Sequence, residues 1–159
     1  MGIKKIAHEF KSKVSQSRLF KALITHPQEV LPKCTESIKS IEIVEGSDVS
    51  DGCVIKATLA DGIKYVKHRI DSIKHDEFEC EYTLIEGDVL GDKLEKVRHN
   101  MKFVATEDGG GCVIKVESHY HTKGDIELNH DDIKAGEEHA LTLYKACETY
   151  LIANPKVFA

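Results

Sequence analysis

The chain reads as a single α+β domain in which an antiparallel meander lies against one long C-terminal helix. Three observations predict this. From Ile3 to Thr122 most segments alternate apolar and polar side chains with period two, the pattern of half-buried strands. Short turns rich in glycine and aspartate separate these segments at regular spacing, which favours antiparallel hairpins. From Asn129 to Ala153 the period becomes helical: Ile133, Ala140, Leu143, Tyr144, Cys147 and Leu151 recur at steps of three, four and seven.

In chain order, Ile3 to Val14 reads as a strand with Ile6, His8, Phe10 and Ser12 on one face. Ser15 or Ser17 opens a short helix running through Leu23, which His26-Pro27 breaks, and Gln28 to Lys33 makes a second. The two are predicted to form a V. Ser40 to Glu45, Cys53 to Ala60, Lys64 to Ile73, Phe78 to Glu86, Leu94 to Thr106 and Cys112 to Thr122 then read as strands. Asp61-Gly62 and the glycines at 109–111 mark tight turns. The final helix has Asn129 as N-cap, Asp131 and Asp132 in its first turn, where the dipole favours acids, and Asn154-Pro155 as its stop. Its polar face is assigned Lys134, Glu137, Glu138, Lys145 and Glu148. Neither a linker nor an internal repeat divides residues 1–159, so one domain is expected.

Composition narrows the function. The chain is 41% hydrophobic, enough for an ordinary core, and its net charge of −5 argues against a nucleic-acid partner held through phosphates. No apolar run approaches the ~20 residues of a membrane span, and the opening Met-Gly-Ile-Lys-Lys lacks the apolar core of a signal peptide. The five cysteines (Cys34, Cys53, Cys80, Cys112, Cys147) are widely spaced and never form a C-x-x-C pair. They read as reduced thiols in a cytoplasmic protein, not as a disulfide framework or zinc site. His119 and His121 share one strand face but have no evident third metal ligand, and are expected in solvent. No haem, copper or flavin motif is present, so no cofactor is expected. No heptad or apolar stripe marks a dimer surface, so a monomer is expected.

Alternation also selects an inner face. Cys80, Tyr82 and Leu84 share a face of one strand; Val97, His99, Met101 and Phe103 share a face of the next; Cys112, Ile114, Val116, Ser118 and Tyr120 share a face of the last. An ordinary core accounts for the aliphatic members. Tyr82, His99 and Tyr120 carry polar tips, which need partners in a dry interior and find them in a wet cavity. Periodicity alone does not distinguish a filled interior from a hollow one.

Several segments, taken together, resemble one family: Arg18-Leu19-Phe20-Lys21-Ala22 and Pro32-Lys33; Tyr65-Val66-Lys67-His68-Arg69-Ile70-Asp71; Tyr82 through Glu86-Gly87-Asp88; Leu94-Glu95-Lys96; Val104-Ala105-Thr106 with its glycine turn; and Tyr120-His121-Thr122-Lys123-Gly124-Asp125. In this the chain is similar to the plant pathogenesis-related proteins of class ten, the birch-pollen-allergen family, over its whole length. The resemblance implies a helix-grip fold: a seven-stranded antiparallel sheet wrapped around a long C-terminal helix, two short helices in a V, and an internal hydrophobic cavity. It implies binding, storage or transport of small amphipathic plant metabolites such as flavonoids, other phenolics, cytokinins or steroids, in plant defence and stress. By position it adds Leu23, Leu31, Ile38, Tyr65, His68, Ala135, His139, Leu143 and Tyr144 to the candidate lining already containing Cys80, Tyr82, Leu84, Val97, His99, Met101 and Tyr120.

Two departures from the family shape the functional expectation. Its glycine-rich loop is replaced by Glu45-Gly46-Ser47-Asp48-Val49-Ser50-Asp51-Gly52-Cys53, whose Asp48 and Asp51 would repel a phosphate. Alkaloid-forming relatives use a lysine on the strand Phe78–Glu86 with an acidic partner; Cys80 stands at the lysine's position and Lys67 near the acid's, although Tyr65 matches a tyrosine there. A binder without turnover is therefore expected, with no catalytic residue assigned. The alternative is an enzyme acting on a cavity-bound phenolic or alkaloid, or a weak ribonuclease.

Overall fold

A computed structural model describes residues 2–159, where the alternating segments form seven strands. They are β1 (Ile3–Ser12), β2 (Ile38–Glu45), β3 (Val54–Leu59), β4 (Tyr65–Lys74), β5 (Glu79–Gly87), β6 (Leu94–Ala105) and β7 (Cys112–Thr122). One antiparallel sheet results, in the order β1-β7-β6-β5-β4-β3-β2. β2 to β7 form a plain meander, and β1 pairs with β7 from Ile3↔His121 to Ser12↔Cys112. Irregular registers at Ile38/Ser40, Lys67/His68 and Ile70/Ser72 supply the local bends that a strongly curved sheet needs.

Between β1 and β2 the chain crosses one end of the sheet as α1 (Gln16–Phe20) and α2 (Pro27–Cys34). Ser15 caps α1, its side chain accepting from the Arg18 amide. The first helix does not simply stop before Pro27: Lys21–Thr25 widens into a π-helical turn, closed by the His26 amide donating to the Lys21 carbonyl at 2.7 Å. Pro27 then occupies the first turn of α2, where its missing N–H costs nothing.

The last helix, α3 (His130–Ala153), begins as its sequence predicts. Asn129 accepts from the Asp132 amide at 3.0 Å and the Asp132 carboxylate accepts from the Asn129 amide at 3.1 Å, a reciprocal capping box. At the other end the Arg18 guanidinium donates to the carbonyls of Leu151, Asn154 and Val157 at 2.9–3.0 Å. It thereby satisfies groups that a helix end leaves unpaired.

The polar-face assignment is corrected at Glu148, which is buried rather than solvated. Its carboxylate accepts from Ser12 Oγ (2.7 Å), the Lys13 amide (3.1 Å) and Lys145 Nζ (2.7 Å). Burial alone would raise its pKa; these donors outweigh that and hold the carboxyl below its ordinary value. Glu148 stands on the shoulder of the apolar stripe, one turn from Tyr144 and Leu151, and β1 happens to present donors there. That information lies 136 residues away in the chain.

Two apolar clusters lie between sheet and helices. The larger, beside α1 and α2, gathers Leu19, Phe20, Met101, Phe103, Ile114, Tyr144, Cys147 and Leu151. Phe20 meets Phe78 and Phe103 edge-on, each at 5.3 Å between centroids. Phe78, expected to begin β5, instead occupies the turn before it with φ of 54°. This left-handed turn aims its ring at Phe20, and its carbonyl accepts from the Phe103 amide at 2.9 Å. The smaller cluster joins Leu84, Val97, Tyr120 and Ile133 near the start of α3.

Gly87, where β5 ends, has φ of 145°, and a Cβ there would stand 2.8 Å from the Tyr65 carbonyl oxygen. Gly87→Ala is expected to lower stability by ~2 kcal/mol or more, from strain plus collision. Gly52→Ala, with φ of 88° and open space around the new methyl, should cost only ~1 kcal/mol. Urea midpoints compare the two, and equal losses would remove the steric role given to Tyr65.

Candidate functional site

A belt of polar side chains crosses the inner face of the sheet between the two clusters. Alternation places it: His8 on β1, Ser118 on β7, His99 on β6, Tyr82 on β5 and His68 on β4 all project to the side that carries Phe10, Val116, Met101, Cys80 and Ile70. Tyr82 pairs directly with His99 across the strands, and His99 with Ser118. The rings follow one another along the belt, His68 edge-on to Tyr82 at 5.4 Å and Tyr82 tilted against His99 at 4.9 Å.

The belt's hydrogen-bond capacity is only partly used. His99 Nδ1 and Ser118 Oγ lie 2.7 Å apart. The Tyr82 hydroxyl donates to Met101 Sδ at 3.2 Å, and the Tyr144 hydroxyl approaches the same sulfur at 4.0 Å. A thioether is a weak acceptor that a ligand oxygen readily replaces. His8 Nδ1 is buried with no hydrogen-bond partner. Orphaned polar atoms of this kind are uncommon and call for a specific explanation.

Withdrawal from bulk water shifts the titration of the belt's side chains. Burial pulls the His68 imidazole down to about 4 and that of His99 down to about 3, the latter helped by the neighbouring His68, His8 and His119. His8 is lowered by burial, with Glu137 of α3 opposing. Burial pushes the Tyr82 and Tyr144 phenols up, so both remain neutral donors. Yet His8, His68, Tyr82 and His99 all keep intermediate accessible surface.

The other expected lining residues divide. Cys80, Leu84, Val97, Met101, Tyr120, Leu31 and Tyr144 are buried on the inner face or the helix side facing it. Leu23, Ile38 and Leu143 pack half-buried against the larger cluster. Tyr65 is corrected: it stands one residue before inward-facing Val66, so it points outward. Its hydroxyl bonds to Glu86, and Lys56 and Lys67 lie over its ring at 4.8 and 5.7 Å. Ala135 and His139 are likewise exposed on α3, because the helix turns Ile133, Tyr144 and Cys147 inward instead. His8, not among the expected lining, was visible in the Ile6-His8-Phe10-Ser12 alternation.

In the altered loop at 45–53 two backbone amides and one aspartate are already engaged by the protein itself. The Gly52 amide donates to the Ile70 carbonyl (2.7 Å), the Cys53 amide to Ser50 (3.1 Å), and Asp51 accepts from the Ile73 amide (2.8 Å). Such a loop offers little to a phosphate. His119 faces the side opposite Tyr120, 2.9 Å from Glu117. Among the described residues no three His, Cys, Asp or Glu side chains are placed to hold a metal ion, and no helix is long and apolar enough to cross a membrane.

A curved sheet closed on a long helix, with a polar belt inside an apolar interior, is the architecture of a helix-grip protein. The chain belongs to the pathogenesis-related protein Bet v 1 family, whose pattern it matches over residues 1–154. It is 44% identical to the major allergen Pru av 1 of Prunus avium and 42% identical to the major allergen Mal d 1 of Malus domestica. Each comparison covers 99% of both chains. The crystal structure of Ara h 8.0201 superposes with a TM-score of 0.85 at 35% identity, covering 96% of this chain and 99% of that one. Norcoclaurine synthase from Thalictrum flavum, in complex with dopamine and hydroxybenzaldehyde, shares the fold at a TM-score of 0.70 and 20% identity, covering 98% and 89%.

Proposed function

We propose that the protein binds a small aromatic or amphipathic metabolite between the sheet and α3, and releases it unchanged. The observation that carries this reading is the His8–Ser118–His99–Tyr82–His68 belt: desolvated, still accessible, and short of hydrogen-bond partners between two apolar clusters. Apolar walls supply affinity and a few convergent polar groups fix orientation, which is the arrangement of a small-molecule site. A hydroxylated ring laid across the belt would complete the bonds that Met101 and the unpaired imidazole nitrogens leave poor.

Turnover of the alkaloid-forming kind has little support. Cys80, at the position matched to the lysine of alkaloid-forming relatives, is a buried thiol pushed up to about 12, chiefly by desolvation, and the Tyr65 hydroxyl faces outward onto Glu86. Neither can exchange a proton with an interior ligand near neutral pH.

The reading is tested by displacing an environment-sensitive dye with flavonoids, cytokinins and naphthoquinone-type phenolics, followed by mass balance on the mixtures. Recovery of unchanged ligand supports a binder and a new product supports an enzyme. A dye that stays dark, with no ligand binding better than ~1 mM, ends the reading. Within the belt, Tyr82→Phe is expected to weaken hydroxylated ligands ~5-fold, about one hydrogen bond, while leaving dye affinity and folding intact. Equal ligand affinity in wild type and variant would remove Tyr82 from the site.

A further inference from the structure

Two interior phenols spend their hydroxyls on one poor acceptor. The Tyr82 hydroxyl, from β5, donates to Met101 Sδ at 3.2 Å, and the Tyr144 hydroxyl, from α3, reaches the same sulfur at 4.0 Å. Both rings are held by their neighbours. Tyr82 lies between His68 and His99, with centroids 5.4 and 4.9 Å away, and Tyr144 leans on Phe10 at 5.8 Å. Two donors that reach one point from opposite walls, on rings fixed by packing, are preorganised for an acceptor there. Elsewhere the belt is better matched, since His99 Nδ1 and Ser118 Oγ already pair at 2.7 Å.

The chemistry of that acceptor follows from what the two hydroxyls can and cannot satisfy. A thioether accepts weakly, whereas a carbonyl oxygen carries two lone pairs and takes two donors at once. A hydroxyl oxygen would bring an O–H of its own that needs a further partner. An anion would lose its hydration without compensation: among the described residues the only charged side chain buried is Glu148, and no buried lysine or arginine offsets the cost. Met101 is unbranched with three rotatable bonds, so its sulfur can swing aside. We propose that Tyr82 and Tyr144 form a twin-donor clasp for the carbonyl oxygen of a neutral aromatic ketone, which takes the place of the Met101 sulfur. This rests on the small-molecule reading above and narrows it: the keto group marks where the ligand is gripped from sheet and helix together, and the apolar walls receive its rings.

The test uses the full-length protein and three probes built on one ring system: fluorene, 9-fluorenone and fluorene-9-carboxylate, each displacing the same dye. The quantity read is the ratio of fluorenone to fluorene affinity, which cancels packing changes common to both. Tyr82→Phe and Tyr144→Phe should each lower it ~5-fold, about one hydrogen bond, and the double variant should lower it further. Met101→Leu, which nearly keeps the volume and removes the competing acceptor, should raise it. In wild type the carbonyl stretch of bound fluorenone should fall below its frequency in a hydrocarbon solvent, a sign of accepted hydrogen bonds that needs no variant to fold. The proposal is overturned if the double variant keeps the wild-type ratio, if the stretch stays at its hydrocarbon value, or if the carboxylate binds more tightly than the ketone. Fluorene that still displaces the dye in those cases leaves the small-molecule reading standing. If no probe binds, the proposal falls, and whether the dye itself lights up decides the broader reading separately.

Discussion

Stability is expected to fall by several kcal/mol as the pH drops from 6.5 to 4, driven by two imidazoles inside the fold. In the unfolded chain His68 and His99 take up protons near 6.5; in the native state burial defers this to about 4 and about 3. Through that window the unfolded state holds more protons, so each step toward acid favours it. The contribution is whole above 6.5 and is lost as pH falls toward the native values. Each unit of separation is worth about 1.4 kcal/mol per group. Urea midpoints of wild type and of the doubly substituted His68→Gln/His99→Gln protein, measured at half-unit pH steps, read the effect. Wild type should decline more steeply through the window than the variant, whose remaining slope comes from His8, also lowered by burial, and from carboxylates at the acidic end. Parallel decline of both would place the acid sensitivity elsewhere.

Phe103→Ala should cost ~3–5 kcal/mol, the range for removing a fully buried aromatic ring. Phe103 has no exposed surface and stands edge-on to Phe20, which in turn meets Phe78. Its removal leaves α1 and the turn before β5 facing a void. At ~2–4 °C per kcal/mol for a domain of this size, the melting temperature should fall on the order of 10 °C, followed by far-ultraviolet circular dichroism. Ligand affinity should stay within ~3-fold, because the polar belt lies beyond Met101. A loss near ~1 kcal/mol would mean that the end under α1 and α2 is itself hollow. The substitution thus distinguishes a packed end from a hollow one.

Much of this was legible in the residues because its cause is local. Asn129, Asp132 and Asn154 bound α3 through their own side chains and backbone, and strict alternation placed Val97, His99, Met101 and Phe103 on the inner face. Misplacements arose where distant chain decides. Glu148 is buried because β1 offers Ser12 and Lys13 to it. Phe78 turns left-handed because Phe20 waits across the interior. Tyr65 was drawn inward by a positional match to relatives, although its neighbours Val66, His68 and Ile70 already put it outside. His139 depended on how α3 rolls over the sheet, which no local pattern encodes.

The fastening of α3 is lopsided, and that shapes its mechanics. Arg18 grips three carbonyls at the far end and Glu148 ties the adjoining turn to β1, while 134–136, 138 and 139 are exposed. At the near end only the capping box, the Lys93–Asp132 pair and Ile133 hold it. A rod clamped at one end deflects most at the other. Compliance therefore concentrates in the first two turns, over Tyr120, where Gly136 brings no side chain to resist bending. The helix has, in effect, a hinged end and a free end.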